Sequence, residues 1–238
     1  MTSLDHERRQ RQRELALSYR IFGALRWGDL GDGHISARDP ERTDCFWLLG
    51  YSVSFDRATV GDLVLVGPDG SVLEGDHDIN ETAYRIHWPI HEARPDVVAA
   101  AHTHTQWGTP FSAERQLLQP ITQEACIFHD DHAVFDDEEV QVLSIDGGKR
   151  IAAALGPNRA AILANHGLLT TGPTVGEAVA AFVTMERVAE AHLKAPGARR
   201  ISAQGAQRAK ADLGPERALQ AGFEYLVARH VPDPTVVL

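Results

Sequence analysis

The chain has 238 residues, a formal net charge of −10, 43% hydrophobic residues and two cysteines, a composition that supports one globular core and gives no reason to divide it. The acidic balance argues against a nucleic-acid partner, because phosphate-backbone binding needs clustered Lys and Arg, and no apolar run approaches the roughly 20 residues that span a bilayer. Cys45 and Cys126 are too few for a disulfide framework or a thiolate cluster, and no apolar signal core follows the charged stretch 1–14, so the expectation is a single cytoplasmic domain over 1–238 with no membrane partner.

Leu15, Ala16, Tyr19, Phe22, Ala24 and Leu25 recur at helical spacing, so residues 5–26 read as an amphipathic helix that ends before Gly28. A Gly/Asp turn over 28–33 leads into a short strand or loop, 34–38. Strands follow at 45–49 and 63–66, the second closed by the turn Pro68-Asp69-Gly70. Asn80 caps a helix that begins at Glu81 and is stopped by Pro95, with Ile86 and Ile90 turned inward and Pro89 kinking or tightening it. A strand at 97–104 precedes a loop over 106–120, short strands near 125–128 and 140–143, a helix over 147–155 ended by Gly156, and a strand at 160–163. Thr174 and Glu177 form a capping box that opens a long helix to about Lys194. Residues 195–206 are polar and read as a mobile loop, and Pro215, at the first helical position, opens a last helix over 215–228. Helices interleaved with strands make this an α/β domain in which helices cover a sheet.

The most informative stretch is His102-Thr103-His104, which closes the apolar run 97–101. Side chains alternate across a strand, so the two imidazoles share a face and can share an ion. His166, in Asn165-His166-Gly167, lies just past the run 160–163 and is a third candidate from the end of another strand. Three protein ligands and an open position form the catalytic kind of metal site, and neutral donors leave the dication's charge available to a developing oxyanion. Zinc is the expected ion, with iron, manganese or cobalt as alternatives. Among the other polar groups, His34 and Arg38 share a face if their segment is extended and can meet a substrate carboxylate. His87 and His91, four apart on one helix face, read as supporting or packing groups, not ligands. The loop His129-Asp130-Asp131-His132 can supply a proton donor, with His132 as the candidate.

The text Arg94-Pro95-Asp96-Val97, His102-Thr103-His104-Thr105, Asn165-His166-Gly167-Leu168-Leu169 and the helix start at Thr174 resembles the class II aldolase/adducin family, in the family's order, over residues 20–194. The resemblance implies α/β/α layers around a largely antiparallel central sheet, a homotetramer with active sites near subunit interfaces, and a divalent metal held by His102, His104 and His166. The chain departs from the sugar-phosphate aldolases of that family. Their Ser-Ser-Glu sequence is replaced by Ile79-Asn80-Glu81-Thr82, and ungapped counting from His102 puts Ala83 at the carboxylate position, so Glu81 moves a proton only if the helix entry shifts by two residues. Their phosphate-gripping Gly-Asn-Ile-Ser reads Gly33-His34-Ile35-Ser36, and their Thr-Pro-Ser-Gly loop has no counterpart over 48–52, which implies a substrate without a phosphate.

The segment from Gly33 through Arg38-Asp39-Pro40, Asn80, and Asp131-His132-Ala133-Val134-Phe135 is similar to the branch that holds adducin head domains, aromatic-acid decarboxylases and aminocoumarin-type iron oxygenases. Adducin itself lacks the metal histidines, so their presence implies an enzyme. Carried over from the resemblance, His34, Ser36, Arg38 and Asn80 bind substrate, and Tyr225 reaches a neighbouring subunit's site. The expected reaction is a metal-dependent carbon–carbon lysis, an aldol cleavage or decarboxylation of a small hydroxy-carbonyl or hydroxy-acid through a metal-stabilised enolate, with Glu81 or His132 transferring the proton. The alternatives are a non-haem Fe(II) oxygenase on the same histidines and a non-catalytic adducin-like assembly module.

Overall fold

The computed structural model describes residues 2–214 and 216–238. In chain order the elements are α1 (Ser3–Ala24), β1 (Gly33–Arg38), β2 (Phe46–Leu49), β3 (Leu63–Val66), β4 (Val72–Glu74), α2 (Glu81–Ala93), β5 (Ala99–Thr103), α3 (Gly108–Ser112), β6 (His132–Phe135), α4 (Ile145–Leu155), β7 (Ala160–Leu163), β8 (Gly167–Gly172), α5 (Val175–Lys194), α6 (Ala203–Leu213) and α7 (Glu216–His230). The strands form one eight-stranded sheet of order β4-β3-β2-β1-β5-β8-β7-β6. Every pairing is antiparallel except β6 with β7.

Strand alternation divides the sheet's side chains between two layers. Ile35, Ala37, Ala99, Ala101, Ile162 and Leu168 join the core built with α1, α5 and α7, through residues such as Phe22, Phe182 and Phe223. Ala161, Leu163 and Leu169 face the other way and pack with Ile86 and Ile90 of α2 and Ile151 and Leu155 of α4. Phe46, Leu48, Val64 and Val66 meet Ala83 of α2 on that same side. The expected α/β/α arrangement around a largely antiparallel sheet is therefore the one observed. His34, Ser36 and His102 alternate with Ile35, Ala37 and Ala101, so these polar groups lie on the α2 face, where they are buried.

Helix α2 runs through Pro89 without breaking. The Pro89 nitrogen cannot donate to the Arg85 carbonyl one turn back, and α4 uses the space beside that carbonyl. A Cβ on Gly148 would stand 1.8 Å from the Arg85 oxygen and 2.9 Å from Pro89 Cγ, so the helices approach this closely only because residue 148 has no side chain. Two expected N-caps hold: the Asn80 side chain, at the site, accepts from the N–H groups of Thr82 and Ala83, and that of Thr174, at the far end of β8, accepts from Glu177 N–H.

Several expectations need correction. Residues 124–128 form a 3-10 turn, not a strand, because the short run Ala125-Cys126-Ile127-Phe128 has no period of its own and packs its side chains into the core from a loop. Residues 140–143 have no regular structure. The parallel edge strand lies at His132–Phe135, where no strand was expected, beginning on the last residue of the expected 129–132 loop, and the polar segment 195–206 turns helical from Ala203 under a Ser202 cap that accepts from Gly205 N–H. The expected role of Pro215 lies outside the described residues. The Gly148 contact makes a sharp test of the α2–α4 packing: Gly148→Ala should destabilise the fold by about 2–3 kcal/mol, the range of overpacking against backbone, read as a lower urea midpoint with an unchanged slope.

Candidate metal centre

Three local features bring the histidines together. The first is register: β5 lies between β1 and β8, with His102 opposite His34 on one side and Leu169 on the other. The His102 Nδ1–H donates to the Leu168 carbonyl at 2.8 Å, which fixes the tautomer and leaves Nε2 as its free donor atom. The second is the end of β5. His104 lies one residue beyond the strand and keeps the alternation, its N–H bonded to the Asp32 carbonyl at 3.1 Å and its Nδ1 3.8 Å from the Asp32 carboxylate. Gly33 lets β1 come this close, since a Cβ there would stand 2.3 Å from Thr103 Oγ1. The third is the tight turn from β7 to β8, in which Leu163 pairs with Gly167 and Asn165 takes a left-handed φ of 57°. Arg115 donates to the Asn165 side-chain oxygen at 2.7 and 3.0 Å and holds the turn that presents His166.

One nitrogen from each of His102, His104 and His166 lies within 4.8 Å of the other two. Their ring centroids are 4.7–5.5 Å apart. Glu186 of α5 braces the segment after His104 by accepting from Thr105 Oγ1 and from the N–H groups of Trp107 and Gly108, the latter two at 2.9 and 2.7 Å. Burial, then the neighbouring rings, holds His102 well below the ordinary imidazole range and lowers His166 to about 4. Both rings are therefore neutral near pH 7, the form in which imidazole ligates a metal. The donor set fits a divalent ion with an open coordination position.

The three rings line a cleft of about 380 Å³ whose other walls include His34, Asn80, Thr82, Ile86 and Val142. A second cleft of about 520 Å³ shares His34, Asn80 and Thr82 and is otherwise lined in part by Leu48, Leu49, Val53 and Phe55. Among the described residues, no Lys or Arg lines either cleft.

The remaining expected site residues separate into two groups. His34 and Asn80 are at the cleft. Glu81 is not: its carboxylate is exposed, ion-paired with Arg85 one turn on, and Thr82 takes the place at the cleft wall, so the two-residue shift needed to bring the acid inward does not occur. His132 lies at the sheet edge, lines neither cleft and has both nitrogens engaged, Nδ1–H donating to the Phe128 carbonyl at 2.6 Å and Nε2 accepting from Leu118 N–H at 2.9 Å. Arg38 turns away from the cleft and donates to the carbonyls of Thr43, His91, Arg94 and Val97. Ser36 is fully buried behind His34, bonded to His87 and His91. Tyr225 is exposed on α7 and lines neither cleft of its own chain. Asp32 and Thr82 were missed; each is a single polar residue in a turn or first helical turn, with no spacing pattern to mark it.

Residues 13–193 match the Class II Aldolase and Adducin N-terminal domain. The decarboxylase NovR of Streptomyces niveus is 40% identical over 185 residues, 77% of this chain and 68% of that protein. A 4-hydroxy-3-prenylphenylpyruvate oxygenase/4-hydroxy-3-prenylbenzoate synthase of Streptomyces roseochromogenus subsp. oscitans is 39% identical over 204 residues, 84% of this chain and 74% of that protein. The solved structure of an L-fuculose 1-phosphate aldolase from Glaciozyma antarctica PI12 superposes with a TM-score of 0.88 at 32% identity, covering 98% of this chain and 94% of that one.

The buried imidazoles give the metal-free protein a defined acid response. Burial lowers His91 to about 3 and holds His87 well below its ordinary value of 6.5. Between those limits the unfolded chain binds more protons than the folded one, so stability is full above pH 6.5 and falls as pH drops towards 3, by about 1.4 kcal/mol per pH unit for each such ring. Asp39 acts in a separate window: burial raises it, but Arg8 and the N–H groups of Arg42 and Glu41 outweigh this and hold it at about 2, so its contribution is lost only below about 4. Urea midpoints measured in chelator should fall continuously from pH 7 to pH 4.5; a flat profile over that range contradicts the buried neutral rings.

Proposed function

Because the chain belongs to the class II aldolase and adducin family, we propose that it is a metal-dependent carbon–carbon lyase, an aldolase or decarboxylase acting on a small, non-phosphorylated hydroxy-carbonyl or hydroxy-acid. The observation that carries this reading is the convergence of His102, His104 and His166 on one cleft. A divalent ion held there, zinc before iron, manganese or cobalt, supplies Lewis acidity for the charge that develops as a carbon–carbon bond breaks. His34, beside His102 on the neighbouring strand, and Asn80 bind and orient the substrate in the same cleft. The apolar side chains of the adjoining cleft accept a hydrocarbon or aromatic portion, and the lack of Lys and Arg in both linings disfavours a phosphate. The assembly we propose is a homotetramer, in which the exposed Tyr225 serves a neighbouring subunit's site.

A second reading is an Fe(II)-dependent oxygenase on the same three rings, favoured by the 39%-identical relative named as an oxygenase. The two separate cleanly. Purified protein should bind one divalent ion per chain, and His102→Ala should weaken that binding by at least about 100-fold with no loss of folded protein. With metal restored under strict anaerobiosis, a lyase releases carbon dioxide or an aldehyde from hydroxy-acid or hydroxy-carbonyl substrates, whereas turnover that requires oxygen and consumes it selects the oxygenase. Protein that binds no metal, and whose properties His102→Ala leaves unchanged, would instead act as an adducin-like module.

A further inference from the structure

Glu186 of α5 is a buried carboxylate, 4% exposed, that lines neither cleft. Its partners are all neutral: the Thr105 hydroxyl and the backbone N–H groups of Trp107 and Gly108. A buried acid without a cation beside it persists only where donors are gathered around it. Gly108 makes the room. A Cβ there would stand 2.8 Å from Glu186 Oε2 and 2.6 Å from both Thr105 Oγ1 and Leu168 Cδ1.

The piece of chain that Glu186 holds reaches all three metal-ligating rings. At its start, Thr105 follows His104 directly and bonds reciprocally with Thr109, the Thr105 N–H to Thr109 Oγ1 at 3.0 Å and the Thr109 N–H to the Thr105 carbonyl at 3.3 Å. At its end, the Ser112 carbonyl accepts from the Asn165 N–H at 3.3 Å, and Arg115, at a left-handed φ of 51°, donates twice to the Asn165 side chain and pairs with Asp136. Asn165 immediately precedes His166. Between the two ends Phe111 and Ser112 are fully buried, which leaves little slack in α3. Leu168, packed against Gly108, carries the carbonyl that accepts from His102 Nδ1.

We propose that residues 105–115 form a bracket that fixes the spacing of His104 and His166, and that Glu186 is the positioning residue that anchors this bracket to α5 and so sets the affinity of the centre for its ion. This rests on the reading of the three histidines as a metal centre. Glu81 is turned to solvent, and among the described residues no fourth ligand is grouped with the three rings, so retention of the ion depends on rings already held at the right separation. The near-isosteric change Glu186→Gln releases the anchor. Whichever way the new amide is turned, its NH2 faces a backbone N–H, that of Trp107 on one side or of Gly108 on the other.

The test is made on the full-length chain, first after chelation. Amide hydrogen exchange at Trp107, Gly108 and Asn165 should be slow in the unaltered protein, and Glu186→Gln should speed it at all three, including Asn165, which Glu186 does not touch. Zinc affinity, measured by competition with a chromogenic chelator, should fall by at least about tenfold, the effect of losing a group that holds a metal ligand in place, and the visible spectrum of the cobalt-substituted protein should change. A general loss of stability would not do this: Gly148→Ala, which strains the α2–α4 packing, should bind zinc as the unaltered chain does. Arg115→Ala loosens the other end of the bracket and should also weaken zinc binding. Because both changes release one body, the double variant should bind only slightly less tightly than the weaker-binding single variant. Zinc affinity in Glu186→Gln within about twofold of the unaltered value, Asn165 exchange that stays slow, an equal loss in Gly148→Ala, or fully additive losses in the double variant each overturns the proposal. If Glu186→Gln does not fold, Arg115→Ala decides: unchanged zinc affinity, or unchanged exchange at Trp107 and Gly108, overturns it. Unaltered protein that binds no zinc defeats the proposed function and the affinity claim together, whereas tight zinc binding indifferent to Glu186 defeats this proposal alone.

Discussion

The antiparallel register of β5 between β1 and β8 is the constraint from which the site follows. It sets His34 across from His102, and it places the Leu168 carbonyl where it can take the His102 Nδ1 proton. A slip of one residue would turn His34, Ser36 and His102 into the apolar layer under α1 and α5 and push Ile35 and Ala101 against α2. The apolar alternation on the opposite layer is therefore what specifies the polar face. Hydrophobic burial under α5 and the direction of the metal-ligating rings are the same choice seen from two sides of one strand.

A buried polar face of this kind is tolerated only if its groups satisfy one another, since a buried group deprived of its partner costs about 1–3 kcal/mol. Here most demands are met locally, and His91 Nδ1 is the buried atom of this face left without a partner among the described residues. The Arg38 guanidinium sits over the carbonyls at the end of α2 and of the 94–97 turn, and so joins helix to strand. Ser36 serves two imidazoles at once. Glu186 accepts from the hydroxyl and two backbone N–H groups that follow His104, so the ligand-bearing segment is tied to α5 as well as to the sheet. The residues that shape the centre are distributed over β1, α2, β5, the β7–β8 turn and α5, which makes the site a product of the whole fold.

That distribution explains what could be read from the chain and what could not. The HxH at 102–104 was legible because a strand has a period of two and because the preceding alanines and valines mark the strand. His166 was legible because the Asn-His-Gly text announces a tight turn in which Asn can take a positive φ, as Asn165 does. The amphipathic and capped helices were legible for the same local reasons. Glu81 and His132 misled, because a sequence shows that a titratable group exists but not whether a neighbour has already claimed it: Arg85 pairs with the first, and two backbone groups take both nitrogens of the second. Arg38 misled in the same way. The pairing of Ser36 with His87 and His91 joins residues more than fifty positions apart, and no local pattern encodes a contact between a strand and the helix laid across it.

The departure at the start of α2 carries a final consequence. With Ala83 buried under the sheet and Glu81 turned to solvent, this wall of the cleft presents the amide of Asn80 and the hydroxyl of Thr82, neither of which takes up or releases a proton near neutral pH. The Asn80 oxygen is already occupied, accepting from the backbone N–H and the hydroxyl of Thr82, so the contribution left to it is its amide donors. The titratable groups of the chain's own cleft are therefore its imidazoles and Asp32, whose carboxylate stands beside His104. A group that satisfies this wall is an acceptor for the Asn80 amide, and the adjoining cleft adds the apolar side chains of Leu48 and Phe55. On the proposed reading of the cleft, its physical complement is a compact oxygenated head on a hydrocarbon body.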